Sequence, residues 1–405
     1  MVNNPECLEV ILKTQFDAFE KGPVFRSIVY DSLRNGIFST DGEVWKSQRK
    51  LISHIFNVKN FKEYVNHVFS EHEEKLVSLL VEHCEIGDTF DLADLFYRLT
   101  FDSFMQILLG FQCDSLSTKE VDLMNAFDAI ERRLAERFIT PLWEVTEYLS
   151  GDASKHKGEV TLLRDFTFRM IQEKRSRGLA ENDLLALLMQ VRDEQGNLAS
   201  DNDLIDNVLS LLMAGRNTTA GTLSWAFFML HENPKVLLKL RDEISAVLKD
   251  TTPSYEQIRN KMPYANAVVH ETLRLYPQVP DNLRTASIDV MLPDGTFVPK
   301  GSFVNWHPYT MGRTEAIWGF DAKQFRPERW LEMEKQPSPF DYPVFHAGPR
   351  VCLGKQMAEL EIVYVMVELV RKFDFEVLDP ASVGYVTAVT LPIKNGLKVR
   401  CRLRD

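Results

Sequence analysis

The feature that most constrains this chain is a ten-residue segment near its C-terminus, residues 345–354, which reads FHAGPRVCLG. It follows a proline-containing coil and precedes an amphipathic helix that we predict to begin near Lys355. A cysteine just before a helix faces free backbone N–H groups and the positive end of the helix dipole, and both favour a thiolate. Cys352 could therefore ligate a metal ion, although for a generic G-x-R-x-C pattern a buried structural cysteine would be the better explanation.

The residues around Cys352 suit a flat, carboxylate-bearing ligand. Glycines allow a close approach of the backbone, and an arginine supplies a fixed cation for a carboxylate. The spacing F-x-x-G-x-R-x-C-x-G resembles the signature of the cytochrome P-450 superfamily. The resemblance implies that Cys352 is the axial ligand of haem b (iron protoporphyrin IX), with its thiolate favouring cleavage of the O–O bond. It implies four further haem-binding residues in this segment: Phe345, Gly348, Arg350 and Gly354.

Composition and charge exclude several other classes of protein. The five cysteines are odd in number, scattered and without a C-x-x-C pair, which argues against a disulfide framework or a zinc cluster. The formal net charge of -11 argues against a nucleic-acid-binding protein. His346 lies inside the haem-binding segment, but the signature leaves its position variable, so we do not expect it to ligate iron.

Most of the chain is predicted to be helical. Apolar or amphipathic periodicity of helical spacing extends over four segments: residues 61–84, 91–110, 118–151 and 154–177. One long helix is predicted from Ser200 to Asn233, because Pro234 cannot continue it and suits the start of the next helix. A helix start is predicted at Asp41 and Gly42.

A small β component is predicted in the C-terminal third. The predicted strands are a hairpin over residues 287–298 around Asp294-Gly295, a strand over 301–306 and a strand over 397–401. The predicted fold class is mainly α with small β-sheets, and the resemblance implies the cytochrome P-450 fold, a helical prism around a buried haem. We interpret residues 1–405 as a single domain that lacks the membrane anchor and first strands usual in such proteins.

Two further motifs follow in the order of the family. Glu271 and Arg274 match E-x-x-R and lie on one face of a helix, where an isolated instance would be a solvated ion pair. With Arg329 in the later segment FRPERW, they resemble the family's structural Glu-Arg-Arg network. Trp45 and Arg49 match W-x-x-x-R, and the resemblance implies that both reach a haem propionate.

A third propionate partner is predicted at Arg284, from its position after Val279-Pro280. A surface arginine beside a core tryptophan would otherwise explain an isolated Trp45–Arg49 pair. The company of the other motifs favours the functional interpretation.

The long helix contains the sequence AGRNTT over residues 214–219, which resembles the family's oxygen-binding motif. Ala214 and Gly215 would leave room for dioxygen, and the Thr218 hydroxyl could donate a hydrogen bond and organise water. The family usually has an acid where this chain has Asn217. An amide can position water but cannot relay a proton by ionising, so Asn217 is predicted to lie in a modified proton path.

The amino-acid sequences of several segments resemble those of fatty-acid hydroxylases of the ω-hydroxylase-like branches of plants, fungi and related eukaryotes. The resemblance implies a monooxygenase that inserts one atom of O₂ into a C–H bond of a lipophilic substrate, for which we predict a fatty acid. It implies electrons from an NADPH-dependent flavoprotein reductase that docks near Lys355, a location on the cytosolic face of the endoplasmic reticulum membrane, and a monomer. Candidate pocket residues are Phe25, Ile37, Phe38, Leu211, Val279, Thr387 and Val389.

Two alternatives remain open at this point. A haem-thiolate enzyme could rearrange a peroxidised substrate without O₂, although such enzymes often lose the hydroxyl that Thr218 provides. A catalytically impaired haem-binding fragment is the other alternative, and Asn217 favours it.

Overall fold

A computed structural model describes residues 1–118, 121–179, 182–192, 196–249, 253–386 and 388–404 of the chain. Helices dominate it, as predicted. In the first half these are α1 (Pro5–Glu9), α2 (Gly22–Leu33), α3 (Gly42–Phe56), α4 (Lys59–Ile86), α5 (Leu92–Leu109), α6 (Asp122–Ile139), α7 (Trp143–Ser150), α8 (Asp152–Arg177) and α9 (Leu184–Leu188). In the second half they are α10 (Asp201–Glu232), α11 (Pro234–Leu248), α12 (Tyr255–Lys261), α13 (Pro263–Leu275), α14 (Pro308–Met311), α15 (Glu315–Trp318), α16 (Arg329–Glu332) and α17 (Lys355–Lys372).

The long central helix, α10, begins and ends where the sequence predicted. The Ser200 side chain accepts a hydrogen bond from the backbone N–H of Asp203, and the Asp203 carboxylate accepts one from the backbone N–H of Ser200. This capping box satisfies donors that a helix N-terminus leaves unpaired. The helix ends at Glu232, and Pro234 opens α11.

Where the structure describes it, the segment over residues 118–151 is mainly helical, as predicted, but it is not continuous. Two helices, α6 and α7, occupy most of this range, and α6 ends at Ile139. Pro141 has no backbone N–H to continue a helix, and Leu142 has a left-handed backbone with φ of 55°. The chain therefore turns between α6 and α7.

The β structure is antiparallel and small, as predicted. The strands are β1 (Phe19–Glu20), β2 (Phe90–Asp91), β3 (Asn282–Ala286), β4 (Val290–Met291), β5 (Phe297–Val298), β6 (Phe303–Trp306), β7 (Phe373–Val377) and β8 (Lys398–Leu403). They form one sheet in the order β1-β3-β6, a second in the order β2-β8-β7, and the hairpin β4-β5. In the first sheet Arg284 pairs with Val304. The sequence did not predict β3 or β7.

Three apolar clusters form most of the core, and α10 contributes to the two largest. Its first half shares a cluster with α2, α3, α6 and α8, its second half shares one with α11, α13 and α17, and α4 and α5 contribute to both clusters. The third cluster joins the N-terminal segment to the first sheet. The predicted oxygen motif therefore lies in the middle of α10, between two packed regions.

Among the residues that the structure describes, none of the helices is both long enough and apolar enough to cross a bilayer.

Candidate functional site

The segment that carries Cys352 is fixed between the three core clusters. Phe345 packs on the cluster of α13 and α17, Ala347 is fully buried in the N-terminal cluster, and Leu353 packs on the cluster of α3 and α5. The backbone N–H of Cys352 donates to the Phe345 carbonyl at 2.8 Å and closes the loop. The Cys352 side chain is nevertheless accessible. A rigid loop thus presents one accessible sulfur directly before α17.

The two glycines of the loop have different surroundings. Gly348 has φ of 64°, and a Cβ there would lie 1.9 Å from the Leu12 carbonyl oxygen. Its close contact is therefore with the N-terminal segment, which sequence reasoning did not foresee. A Cβ at Gly354 would meet its nearest protein atom, the Met357 Cε, only at 4.0 Å. The prediction that Gly354 admits a ligand close to the backbone stays a prediction.

Opposing influences act on the Cys352 thiol. The protein atoms packed around the thiol raise its pKa even though solvent reaches the residue, while the backbone N–H of Gly354 and the positive charge of Arg49 lower it. Arg49 is held beside the loop, because its Nη2 donates to the Val351 carbonyl at 2.5 Å. Ligation requires the thiolate, and a bound metal ion would stabilise that form.

Three cations meet on the other side of the loop: Lys21, Arg284 and Arg350, which we call the cationic cluster. Arg350 donates to Asp41 at 2.6 Å and lies over the ring of Trp45 at 4.3 Å. Burial and the neighbouring cations lower the pKa of Lys21, and burial followed by the charge of Arg350 lowers the pKa of Arg284 to about 9. Among the described residues, Arg350–Asp41 is the ion pair that this cluster contains.

His346 belongs to the same neighbourhood as a neutral group. Its Nε2 accepts a hydrogen bond from Arg284 at 3.0 Å, and its Nδ1 lies 3.0 Å from the Ala347 carbonyl. Burial lowers its pKa well below the usual range, and the charge of Arg284 adds to this effect. Both ring nitrogens of His346 therefore have partners within the protein, and the expectation that His346 does not ligate iron stays a prediction.

The cationic cluster suits the propionates of a haem. Excess positive charge in a partly buried place favours an anion that carries more than one carboxylate. The buried Nε of Arg350 has no hydrogen-bond partner within the described residues, so one donor remains for such an anion. The accessible sulfur of Cys352 lies two residues away in the chain. The residues therefore fit haem b, with Cys352 as ligand and Arg49, Arg284 and Arg350 near its acidic edge.

The middle of α10 has an accessible face in a helix that is otherwise buried. Met213, Ala214, Gly215 and Thr218 are partly accessible, whereas the residues on either side along the helix are buried. Of these, Ala214, Gly215 and Thr218 share one face of the helix. The Thr218 hydroxyl donates to the Ala214 carbonyl at 2.7 Å, which leaves its oxygen free to accept. The face matches the predicted oxygen motif.

Gly215 also has a packing role that the sequence did not reveal. A Cβ there would lie 2.0 Å from Cε1 of Phe104, a residue of α5. The helices α5 and α10 share the most extensive contact between helices in the structure. Glycine at residue 215 therefore lets a phenylalanine ring lie against α10.

Asn217 points away from the accessible face. It is buried, and its Nδ2 donates to Oε2 of Glu131, a residue of α6. Its own Oδ1 accepts from Arg216 at 3.2 Å. Sequence reasoning missed Glu131, because no local pattern connects two residues that are 86 positions apart.

The predicted Glu-Arg-Arg network is confirmed as a set of contacts. Glu271 accepts two hydrogen bonds from Arg274 at 2.8 Å each and one from Arg329 at 3.0 Å. The indole of Trp330 and the backbone N–H of Arg326 complete its partners, at 3.0 and 2.8 Å. All three charged side chains of the network are almost fully buried. The network ties α13 to the segment that leads to the cysteine loop.

The candidate pocket residues do not form one lining. Ile37 and Leu211 are buried in the same core cluster, whereas Phe38 and Val389 are exposed. Phe25 packs on Phe138, with ring centroids 5.8 Å apart. Val279 is half-buried, and Thr387 lies outside the described residues.

Comparisons with known proteins were consistent with one another. The profile of the cytochrome P450 family matches residues 1–394. Cytochrome P450 94A1 of Vicia sativa is 34% identical over 425 residues, which span 100% of this chain and 82% of that protein. Cytochrome P450 704B1 of Arabidopsis thaliana is 32% identical and spans 100% of this chain and 86% of its own length. The crystal structure of the cytochrome P450DA heme domain superimposes with a TM-score of 0.88 at 21% identity, covering 99% of this chain and 87% of that one.

Proposed function

We propose, because this chain belongs to the cytochrome P450 family and is a haem b-dependent monooxygenase, that its substrate is a fatty acid, which it hydroxylates. Haem b held by Cys352 supplies the activation of O₂ and the insertion of one oxygen atom into a C–H bond. Family members take their electrons from a redox partner and act on lipophilic substrates. The relatives of the 94 and 704 groups, and the resemblance of the sequence to fatty-acid hydroxylases, support the choice of substrate.

The residues of the cysteine loop and those of the accessible face of α10 would have different roles. Cys352 would hold the iron, and the arginines and Lys21 would hold the carboxylates of the haem. Thr218 on α10 offers a hydroxyl oxygen on the accessible face, where it can accept a hydrogen bond and order water; it would donate to a reacting oxygen atom only after releasing the Ala214 carbonyl. For the electron donor we propose an NADPH-dependent flavoprotein reductase that docks beside Lys355, whose side chain is 46% exposed.

An open groove on the surface supports the proposal that the substrate is an anionic lipid. It has a volume of about 640 Å³ and lies between α2, the C-terminal end of α6, α7 and the start of α8. Arg137 in this groove is neutralised, since its Nε donates to Glu147 at 2.7 Å. Arg26 is different: it donates to the Asn35 amide oxygen at 2.8 Å and, among the described residues, has no carboxylate partner. The unpaired charge of Arg26 therefore supports binding of a substrate carboxylate in this groove.

We predict that Arg26→Gln raises the KM for a long-chain fatty acid roughly fivefold and leaves kcat nearly unchanged. An ion pair at an accessible site contributes up to about 1 kcal/mol, and a loss of binding without a loss of chemistry raises KM alone. The measurement is product formation with the haem-loaded protein, NADPH and a flavoprotein reductase. Arg26→Lys keeps the charge and is expected to behave as wild type.

The methyl ester of the same fatty acid is the matched substrate control. It carries no charge, so Arg26→Gln should change its KM very little. Equal losses for acid and ester would show that Arg26 shapes the groove rather than binding a carboxylate. If wild type hydroxylates neither compound but converts a lipid hydroperoxide without reductase, the fatty-acid proposal is wrong and the rearrangement alternative holds.

An exposed apolar patch supports membrane association on the cytosolic face of the endoplasmic reticulum. Leu142, Val145, Tyr148 and Leu149, on and beside α7, are between 54% and 79% exposed. Apolar surface of this kind marks an interaction site when it is contiguous. We propose that this patch lies in the lipid interface and brings the neighbouring groove close to lipid substrates.

We predict that the double variant Leu142→Asp/Leu149→Asp releases the protein from lipid vesicles. Two carboxylates in the patch oppose burial in a bilayer. Co-sedimentation of the haem-loaded protein with vesicles of phosphatidylcholine and phosphatidylserine measures the effect. Leu238→Asp, on α11 at 59% exposure, is the control for a charge placed on an exposed leucine elsewhere. Equal binding by the double variant, or equal loss in the control, would contradict the assignment of the patch.

A further inference from the structure

Glu131 lies where the oxygen motif lacks its acid. The family usually has a carboxylate at the position of Asn217, and in this chain the Asn217 amide donates to a carboxyl from another helix. The side chain of Glu131 is 15% exposed and that of Asn217 is buried, so the contact lies within the α6–α10 interface. A carboxyl is therefore still present beside the motif, but it comes from α6.

The charges around Glu131 compensate it only partly. Arg216 on α10 is bonded by its Nη1 to Asp128, which lies on α6 and is 49% exposed. The same Nη1 is 4.0 Å from Oε2 of Glu131, beyond hydrogen-bonding distance. Tyr97 on α5 faces the group as well and is uncharged, because burial raises the pKa of its phenol. The single cation is thus shared between two carboxyl groups and is held mainly by Asp128.

The protonation state of Glu131 follows from these surroundings. Burial raises its pKa to about 8, Arg216 opposes this shift and Asp128 adds to it. Below pH 8 the group therefore carries a proton, and above it the group is a carboxylate. Glu131 can therefore act as an acid beside the site at neutral pH, whereas the amide of Asn217 cannot.

We propose that Glu131 supplies the acid that the oxygen motif of this chain lacks. Asn217 holds the Glu131 carboxyl against α10, one residue before Thr218. The carboxyl releases its proton through ordered solvent toward the Thr218 face, Arg216 stabilises the carboxylate that remains, and bulk water returns the proton. Asn217 is therefore a positioning residue, and Glu131 is a proton source that acts through solvent. The proposal depends on the monooxygenase class of the protein and not on the fatty-acid substrate.

Four proteins test this assignment: wild type, Glu131→Gln, Asn217→Asp and the double variant. We expect Glu131→Gln to lower product formation roughly a hundredfold, the lower end of what a positioned proton donor contributes, and to divert electrons into hydrogen peroxide. The double variant restores an acid on α10 itself and should recover most of the coupling between NADPH oxidation and product. Wild-type turnover should fall as the pH rises through about 8, and turnover of Glu131→Gln should not.

An infrared measurement requires no turnover and no choice of substrate. The difference spectrum of wild type minus Glu131→Gln should contain the C=O stretch of a protonated carboxylic acid at pH 7, and this band should disappear as the pH rises through about 8. Absence of the band at pH 7 would overturn the proposal. Unchanged coupling between NADPH oxidation and product in Glu131→Gln would also overturn it. So would a loss of folding stability in Glu131→Gln that persists in the double variant with Asn217→Asp. Either result would reduce Glu131 to a structural contact between helices.

Discussion

Cys352→Ala is expected to abolish the thiolate-type absorption band of the reduced carbon-monoxide complex and to reduce turnover below detection. The sulfur is the accessible group of a loop that three core clusters and the Cys352–Phe345 hydrogen bond hold in place. Alanine removes the ligand but keeps the backbone N–H that closes the loop. The spectrum should therefore change while the fold remains, which far-ultraviolet circular dichroism would verify.

Cys113→Ala is the matched control, since Cys113 is also a free, partly accessible thiol. Burial raises the pKa of its thiol to about 12, so it resists forming the thiolate that iron requires. We expect this variant to keep the thiolate-type band. A band that survives in Cys352→Ala, or that disappears in Cys113→Ala, would show that the loop has been assigned wrongly.

Local chemistry explains why the sequence predicted some features of the fold so well. The limits of α10 depend on Ser200, Asp203 and Pro234, which act within one helical turn of the residues they affect. The loop signature is likewise contained in ten consecutive residues. The break at Pro141 was also available from the sequence, because proline rarely continues a helix. Strands β3 and β7 were not, since their pairing depends on residues distant in the chain.

The partners of the predicted site residues depended on tertiary structure. Arg350 was predicted as a cation for a carboxylate, but only the fold shows that Asp41 pairs with it and that Lys21 and Arg284 share its neighbourhood. Asn217 was recognised as a departure from the family pattern, yet its partner Glu131 lies on another helix. Motifs thus indicated the candidate site residues, whose roles stay predictions, and packing determined the charges that act on them.

Glu271→Gln is expected to lower the free energy of unfolding by about 3–5 kcal/mol, because removing one member of a buried ion pair leaves buried charge without compensation. Glu271 is fully buried and is shared by Arg274 and Arg329. Asp321 lies 3.0 Å from Arg329 and continues to pair with it, so Arg274 is the arginine left without a compensating negative charge. Denaturant unfolding of the haem-loaded protein, with the haem content of the soluble fraction, would measure both consequences.

Glu332→Gln provides the matched comparison, since Glu332 is also a glutamate paired with an arginine, Arg326, but is 60% exposed. The same change in charge should cost less than about 1 kcal/mol at such a place. The contrast isolates burial, because charge and side-chain volume change equally in both variants. Similar losses for the two variants would mean that Glu271 stabilises through its hydrogen bonds alone, which glutamine partly retains. A large loss confined to Glu271→Gln would mean that its charge holds the segment from α13 to the cysteine loop, so that the ligand of the iron depends on an ion network that does no chemistry itself.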